Sequence, residues 1–383
     1  MSPERPKVLA TANTSWYLYN FRRGLLHRIR AAGWDVVLTA PRDEYSDRLA
    51  DEGFEFWPIA IDSSGTNPFR DLLTIWAYFR LLRGTRAITV LSFTPKVVIY
   101  SGIAARLAGT ATIATVTGLG SSFVTPGPVT HLVKMLYRFG LRGAAHVFFQ
   151  NPDDLGLFRT SGLLGSEQSI ELVGGSGVDL ERFAPRPRNC NRGFTFLLAA
   201  RMLRDKGIYE YAEAAARIRR TFPNTRFLLV GKAGVNNPSA ISLSEIEGWV
   251  DEGCVEYLGD TDDIRPHIAA SDVVVLPSYR EGLPKILLEA ASMRRPIVAS
   301  DVSGCREIVI DGFNGFLCKA RDFSSLADAM VRMLQASPQE RDQMGARGRA
   351  MAVERFSEES VIAAYLSVID RASRSLRKDR APF

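Results

Sequence analysis

Cysteine is scarce in this chain: four among 383 residues, Cys190, Cys254, Cys305 and Cys318, with no C-x-x-C pair. That scatter excludes a disulfide framework and a zinc ribbon, and it fits a reducing cytosol. Long apolar runs are missing as well; none approaches the roughly 18 uninterrupted apolar residues of a membrane-spanning helix. The opening MSPERPKVLATAN has no apolar stretch behind its basic residues, so no signal peptide is expected. Histidine is rare, and His27, His131, His146 and His267 stand at no ligand-like spacing. G-x-S-x-G is absent and no G-x-G-x-x-G follows the first strand, which removes the nucleophile elbow and the dinucleotide fingerprint. One region lacks acid: between Ser64 and Gln150 there are nine Lys and Arg residues and a single acid, Asp71, although the whole chain carries only +6. Such a stretch attracts phosphorylated substrates or an anionic membrane. With no nucleic-acid recognition module in view, nucleic acid is not an expected partner.

What is present is ordinary globular material, 46% hydrophobic and 23% charged, long enough for about two domains. Short apolar runs alternate with helical patterns: KVLATA (7–12), DVVLTA (35–40), FEFWPIA (54–60), AITVLSF (87–93), ATIATV (111–116) and HVFFQN (146–151). The pattern restarts with FTFLLAAR (194–201), RFLLVG (226–231), VEYLG (255–259), DVVVLPS (272–278), PIVAS (296–300) and GFLC (315–318). Continuous apolar strands separated by helices predict parallel sheets covered on both faces. The expected architecture is two doubly wound, Rossmann-like α/β domains. Residues 1–173 form the first, a Gly-, Pro- and Arg-rich linker runs over 174–190, and residues 191–357 form the second. The tail, about 358–383, reads as a helix that packs back on the first domain. A ligand is expected in the cleft, at the carboxyl ends of the strands.

The densest chemistry is in LPSYREGLPKILLEAASMRRPIVAS (276–300). A strand ends near Ser278, a short loop carries Glu281 and Gly282, and Pro284 suits the first turn of a helix, where a missing N–H costs nothing. Gly282 allows close approach of a ligand to the backbone, and the helix start offers an anion site. From Pro284 to Glu289 the rise is roughly 7.5 Å. Glu281 and Glu289 therefore flank a phosphate-seeking helix end at the separation of a hexose and a ribose on either side of a diphosphate. In LAARMLRDKGIYEYAEAA (198–215), Arg201 ends a strand and Lys206 opens the next helix. Two cations there can neutralise a diphosphate leaving group in place of a metal, and no cofactor is called for. The D-x-D at Asp260–Asp262 spells a metal signature, but it follows a second-domain strand and no metal is expected there.

These segments resemble the retaining glycosyltransferases of family 4, which have the GT-B fold. Glu281 to Glu289 matches the Glu-x7-Glu motif and Arg201 with Lys206 the basic pair; GGSGVDLERF, GDTDDIRPHIAASDVVVLPS and GCREIVIDGFNGFLC are further matching segments, and all stand in the family's order, covering most of 170–335. SFTPKVVIYSGIAARLAG (92–109) and TVTGLGSSF (115–123) resemble the capsule and O-antigen subgroup, which acts on polyprenyl-diphosphate-linked sugars. The resemblance implies that Glu281 holds the donor hexose, Glu289 the ribose, and that Gly282, Leu283 and Pro284 line the sugar-diphosphate site with backbone groups; Lys285, in the first turn of the helix, and Gly231 are further expected donor-binding residues. A UDP-sugar is the implied donor, an N-acetylhexosamine the implied cargo and a polyprenyl-diphosphate-linked saccharide the implied acceptor, at the inner face of the cell membrane. Two departures stand out. Thr117 occupies the place of a family histidine, and Asn13-Thr14-Ser15 replaces a Gly-Gly loop. Asn13, Thr14, Ser15, Thr117 and Gly118 are the expected acceptor-side residues. The helical patterns FRDLLTIWAYFRLLRG (69–84) and HLVKMLYRFGLRG (131–143) give most of their apolar residues to the core, and their arginine excess to an anionic membrane. A sugar-nucleotide epimerase or hydrolase of similar fold, or a non-catalytic sugar-nucleotide-binding scaffold, fits the same residues.

Overall fold

The inner strands carry apolar side chains on both faces, so each sheet must be covered twice. In the computed structural model, which describes residues 5–62, 67–118, 128–187, 193–235 and 237–379, the outcome is two parallel α/β units. One comprises residues 1–176 with 359–383, the other 177–358. The expected pair of doubly wound sheets is present.

In the first unit β1 (Lys7–Thr11), β2 (Asp35–Ala40), β3 (Glu55–Pro58), β4 (Thr89–Phe93), β5 (Ala111–Val116), β6 (His146–Phe149) and β7 (Ile170–Leu172) run in the order β3-β2-β1-β4-β5-β6-β7. The three-residue edge strand β7 has too little apolar pattern to be read from sequence. The connections are α1 (Ser15–Tyr17) with a π-helical turn (Leu18–Arg22) and α2 (Arg23–Ala31), then α3 (Glu44–Asp51), α4 (Pro68–Thr85), α5 (Pro95–Ala108), α6 (Pro128–Leu141) and α7 (Pro152–Thr160). Strand periodicity sorts the core: Val8, Ala10, Val36 and Leu38 pack on one face, Leu9 and Val37 on the other.

The second unit holds β8 (Phe194–Ala199), β9 (Thr225–Val230), β10 (Glu256–Tyr257), β11 (Val273–Leu276), β12 (Ile297–Ser300) and β13 (Gly315–Cys318), in the order β10-β9-β8-β11-β12-β13. Its helices are α8 (Ile208–Thr221), α9 (Leu243–Asp251), α10 (Arg265–Ala270), α11 (Lys285–Ser292), α12 (Cys305–Ile308), α13 (Phe323–Gln335) and α14 (Pro338–Arg355). The same alternation recurs, with Phe196 and Leu198 on one face and Leu197 on the other. Of the stretch read as a linker, Gly177 to Pro187 belongs to this unit. Val178 bridges to Ser357, and Val178 and Phe183 are buried in its core. Residues 188–190 of that stretch lie outside the described residues.

The last helix, α15 (Glu358–Asp379), returns to the first unit. Val361, Tyr365, Val368, Ile369 and Ala372 recur at helical spacing and enter the core beside β1. The Tyr365 hydroxyl lies 2.7 Å from Thr115 Oγ1, which ties the helix to β5.

On the opposite face α5 packs between α4 and α6. Gly102 and Gly140 set the α5–α6 crossing: a Cβ on Gly102 would stand 2.1 Å from the Gly140 carbonyl oxygen, a backbone atom that cannot swing away. Gly102→Val should therefore cost about 3 kcal/mol of stability, read as an earlier urea midpoint with unchanged slope. A variant as stable as the wild type would contradict this crossing.

Candidate active site

In the second sheet the strand order reverses between β8 and β11. Such a switch point leaves a crevice at the carboxyl ends of the strands, because the loops leaving the two neighbours turn to opposite sides. The loops concerned are 200–207, after β8, and 277–284, after β11.

Glycines let these loops meet. Gly207 (φ 73°) caps the start of α8, and a Cβ there would stand 2.2 Å from the Pro277 carbonyl oxygen. Gly231 (φ 141°), after β9, presses on the end of β8, where a Cβ would come within 1.8 Å of the Ala200 carbonyl oxygen. Positive φ and backbone contact together exclude any side chain at either position.

Lys206 ends a single 3-10 turn, Arg204–Lys206, and its Nζ lies 2.5 Å from Glu281 Oε1. Both side chains are largely withdrawn from solvent, at 18% and 13% exposure, so this is a charge-assisted bond in a partly dry site rather than a surface pair. Tyr279 ties the two loops further. Its N–H donates to the Asp205 carbonyl at 2.9 Å, its hydroxyl donates to Glu210 Oε1 at 2.7 Å on the first turn of α8, and the Arg321 guanidinium stands 4.7 Å over its ring.

Pro284 stands at the N-cap of α11, one place before the first turn expected from sequence, and its carbonyl accepts from the Leu287 N–H at 3.1 Å. The first turn of such a helix carries the positive end of the dipole, and Lys285 adds a charge there. Arg201 is exposed just beyond β8, with no side-chain partner among the described residues. Glu289 is 8% exposed in the second turn of α11, and its carboxyl receives no hydrogen bond among the described residues. Burial pushes it up to about 7, against the pull of Lys285 and Arg182 and with a push from Asp263. A buried acid without donors is costly unless a ligand supplies them.

The profile described as "Glycosyl transferases group 1" matches residues 193–336, and that described as "Glycosyl transferase 4-like" matches residues 7–151. A Campylobacter jejuni protein named N,N'-diacetylbacillosaminyl-diphospho-undecaprenol alpha-1,3-N-acetylgalactosaminyltransferase is 27% identical over 94% of this chain and 97% of its own. The chain belongs to the family 4 glycosyltransferases. An Escherichia coli relative, UDP-Gal:alpha-D-GlcNAc-diphosphoundecaprenol alpha-1,3-galactosyltransferase, is 28% identical over 69% of this chain and 70% of its own. Among solved structures, the sucrose-phosphate synthase of Thermosynechococcus elongatus superposes with a TM-score of 0.78 at 20% identity, covering 97% of this chain and all of that one. The Anabaena protein HepE crystallised with UDP-glucose gives 0.76 at 18%, over 94% and 99% of the two chains. The fold is GT-B.

In this glycosyltransferase Lys206 and Glu281 bond directly, while Arg201, Gly231, Gly282 to Lys285 and Glu289 sit on the neighbouring loops and helix of the second unit. In the first unit Asn13 and Thr14 follow β1 half-buried, and Thr14 Oγ1 accepts from the Tyr17 N–H to cap α1. Ser15 departs from expectation. It is fully buried, and its hydroxyl donates to Asp43 Oδ1 at 2.5 Å and lies 3.1 Å from Ser46 Oγ, so it braces the loop instead of facing a substrate. Thr117 and Gly118 follow β5 half-buried; residues 119–122 of that loop lie outside the described residues. Asp260 Oδ1 accepts from the Thr261 N–H, and among the described residues no three metal-ligating side chains gather. Tyr279, Asp205, Glu210 and Gly207 were invisible as site residues in the sequence. The one pointer to them is sequence proximity, of Tyr279 to Glu281 and of Asp205, Gly207 and Glu210 to Lys206.

Glu289 makes the stability of this glycosyltransferase depend on pH in a definite sense. Its ordinary value is 4.5 and burial takes it to about 7. Between those values the folded chain holds a proton that the unfolded chain has released, so stability falls as pH rises through the window. The contribution is full below about pH 4.5 and gone above about pH 7. Glu289→Gln, neutral throughout, should flatten the slope and gain about 3 kcal/mol over the wild type at pH 8, measured by urea unfolding at pH 5 and pH 8. Parallel pH profiles for the two proteins would contradict a protonated, buried Glu289.

Proposed function

We propose that this glycosyltransferase moves an N-acetylhexosamine from a UDP-sugar to a polyprenyl-diphosphate-linked saccharide, with retention at the anomeric carbon and without a metal. The observation that carries the reading is the Lys206–Glu281 pair at the switch point of the second sheet, with a buried, donor-less Glu289 eight residues after Glu281, in the second turn of α11. The relatives' names supply the substrate classes: both act on diphosphoundecaprenol-linked sugars, one transfers N-acetylgalactosamine and one uses UDP-galactose.

The second unit takes the donor. Lys206, Arg201, Lys285 and the start of α11 receive the diphosphate, whose charge grows as the glycosidic bond breaks. Glu281, freed as Lys206 turns to phosphate, accepts hydrogen bonds from the hexose. Glu289 accepts from the ribose hydroxyls, and Gly231 and Gly282 leave room for the sugar diphosphate, which the backbone of Leu283 and Pro284 lines. The acceptor hydroxyl bonds to the anomeric carbon on the face the diphosphate leaves, and a departing phosphate oxygen takes its proton. Asn13, Thr14, Thr117 and Gly118 of the first unit present the acceptor. The protein would work at the inner face of an anionic membrane. No helix among the described residues is long and apolar enough to cross one.

Lys206→Ala and Glu281→Ala should each lower kcat/KM for transfer from UDP-N-acetylgalactosamine to a short polyprenyl-diphosphate sugar by about 100-fold or more. A chelator should leave the rate unchanged. Near-normal transfer by both variants, or conversion of the donor with no acceptor present, would contradict the proposal.

A further inference from the structure

Helix α4 is built inside out. It turns Thr74, Tyr78, Leu82 and Thr85 toward the core and leaves Phe69, Leu72, Leu73 and Trp76 at 78%, 62%, 66% and 55% exposure. The four exposed residues fall at i, i+3, i+4 and i+7, so they form one stripe on one face. Beyond Trp76 the stripe turns cationic: Arg80 and Arg83 are exposed, and the Arg80 guanidinium lies 4.7 Å over the Trp76 ring. Helix α6, on the other side of α5, repeats the design with exposed Leu132, Met135 and Phe139 beside exposed Arg138 and Arg142. Between them α5 shows Arg106 and Leu107 near its end. The one acid on these three helices, Asp71, is held by Lys96 at 3.7 Å. Most apolar residues of the two helices do pack on the core, as their periodicity leads one to expect, Tyr78, Leu82, Tyr137 and Leu141 among them; the exposed seven are the remainder.

An apolar stripe of this size on a helix that already has a buried face calls for a second occupant. The charge around it selects among candidates. A second copy of the chain would bring one arginine rim against another, because a two-fold interface pairs a surface with itself. An anionic bilayer meets both needs: acyl chains take Phe69, Leu72, Leu73 and Trp76, and headgroups take the guanidinium groups. We infer that the outer face of α4, supported by α6, is where this protein docks on an anionic membrane, with the N-terminal half of α4 inserted.

The topology then orients the first unit. α4 follows β3 in a parallel sheet, so its N-terminal end lies at the carboxyl edge of the strands, the edge from which the Asn13–Ser15 loop and Thr117 also leave. Insertion by that end brings this edge to the headgroup level, where a lipid-linked diphosphate sits. This deepens the proposed acceptor class by giving it a surface.

The test is co-sedimentation of the full chain with phosphatidylglycerol–phosphatidylethanolamine vesicles and, separately, with phosphatidylcholine vesicles. The wild type should pellet with the first and not the second. The combined variant Phe69→Ser, Leu72→Ser, Leu73→Ser, Trp76→Ser should bind at least about tenfold more weakly, while UDP still raises its melting temperature as it does for the wild type. Replacing Arg80 and Arg83 by Glu should weaken binding in low salt. A wild type that stays in the supernatant overturns the docking surface, as does a variant that pellets like the wild type. A wild-type dimer that the variant dissolves, with no vesicle binding, overturns it in favour of a second copy. The vesicle assay contains no donor, so loss of docking with UDP stabilisation intact leaves the transferase reading standing. Docking with no response to UDP would do the reverse.

Discussion

One ion pair organises the second unit: Lys206 to Glu281, 75 positions apart in sequence and 2.5 Å apart in space. The pair exists because the sheet reverses its strand order between β8 and β11, so the loops after these strands leave side by side. Holding two charges in a partly dry site is seldom a net gain in stability, since desolvation offsets much of the attraction. The surrounding structure accepts that cost. Gly207 brings the backbone of one loop against the Pro277 carbonyl of the other, Tyr279 adds a hydrogen bond to the Asp205 carbonyl, and Gly304, in the loop after β12, closes on the Glu281 and Gly282 carbonyls. So much reinforcement around one pair fits the proposed site, whose cation has to stand ready to meet phosphate.

The two units meet different demands with the same layered construction. The second holds its polar groups inward, with Glu289 buried and Lys206 and Glu281 mostly covered. The first places its unusual chemistry outward, on α4 and α6, and keeps its own sheet tightly sealed. Arg22, almost fully buried in the π-helical turn, lies 4.3 Å over the Phe93 ring and donates to the Gly175 carbonyl and the Tyr17 hydroxyl. Tyr365 of α15 closes the same aromatic cage from the far end of the chain. The proposed reading accounts for the contrast: a small-molecule donor needs a preorganised pocket, whereas a lipid-linked acceptor needs a surface.

Most strands were legible in the sequence because each is a short apolar run bounded by polar or glycine-rich turns. KVLAT, DVVLTA, ATIATV and GFLC appear as read, within a residue or so at their ends. The start of α11 was equally legible, since Pro284 marks it to within one position. Three features were not. The Tyr279–Glu210 bond joins residues 69 apart, and nothing local to either announces the other. Ser15 sits in a polar loop but lies buried against Asp43, a contact created by how α1 meets α3. The outward face of α4 was hidden by its composition: with apolar residues all round, periodicity cannot say which side meets the sheet, and the core accepted Tyr78 and Thr74 while Phe69 and Leu72 were left outside.

In the proposed site the loops at 201–207 and 281–289 of the second unit grip the diphosphate of a nucleotide sugar. Hydrogen–deuterium exchange of the full chain with and without UDP-N-acetylgalactosamine tests this grip directly. The nucleotide sugar should slow exchange most strongly in peptides covering these two loops, and Lys206→Ala should abolish the effect at both. Protection confined to other segments, or undiminished at these loops in the Lys206 variant, would contradict it.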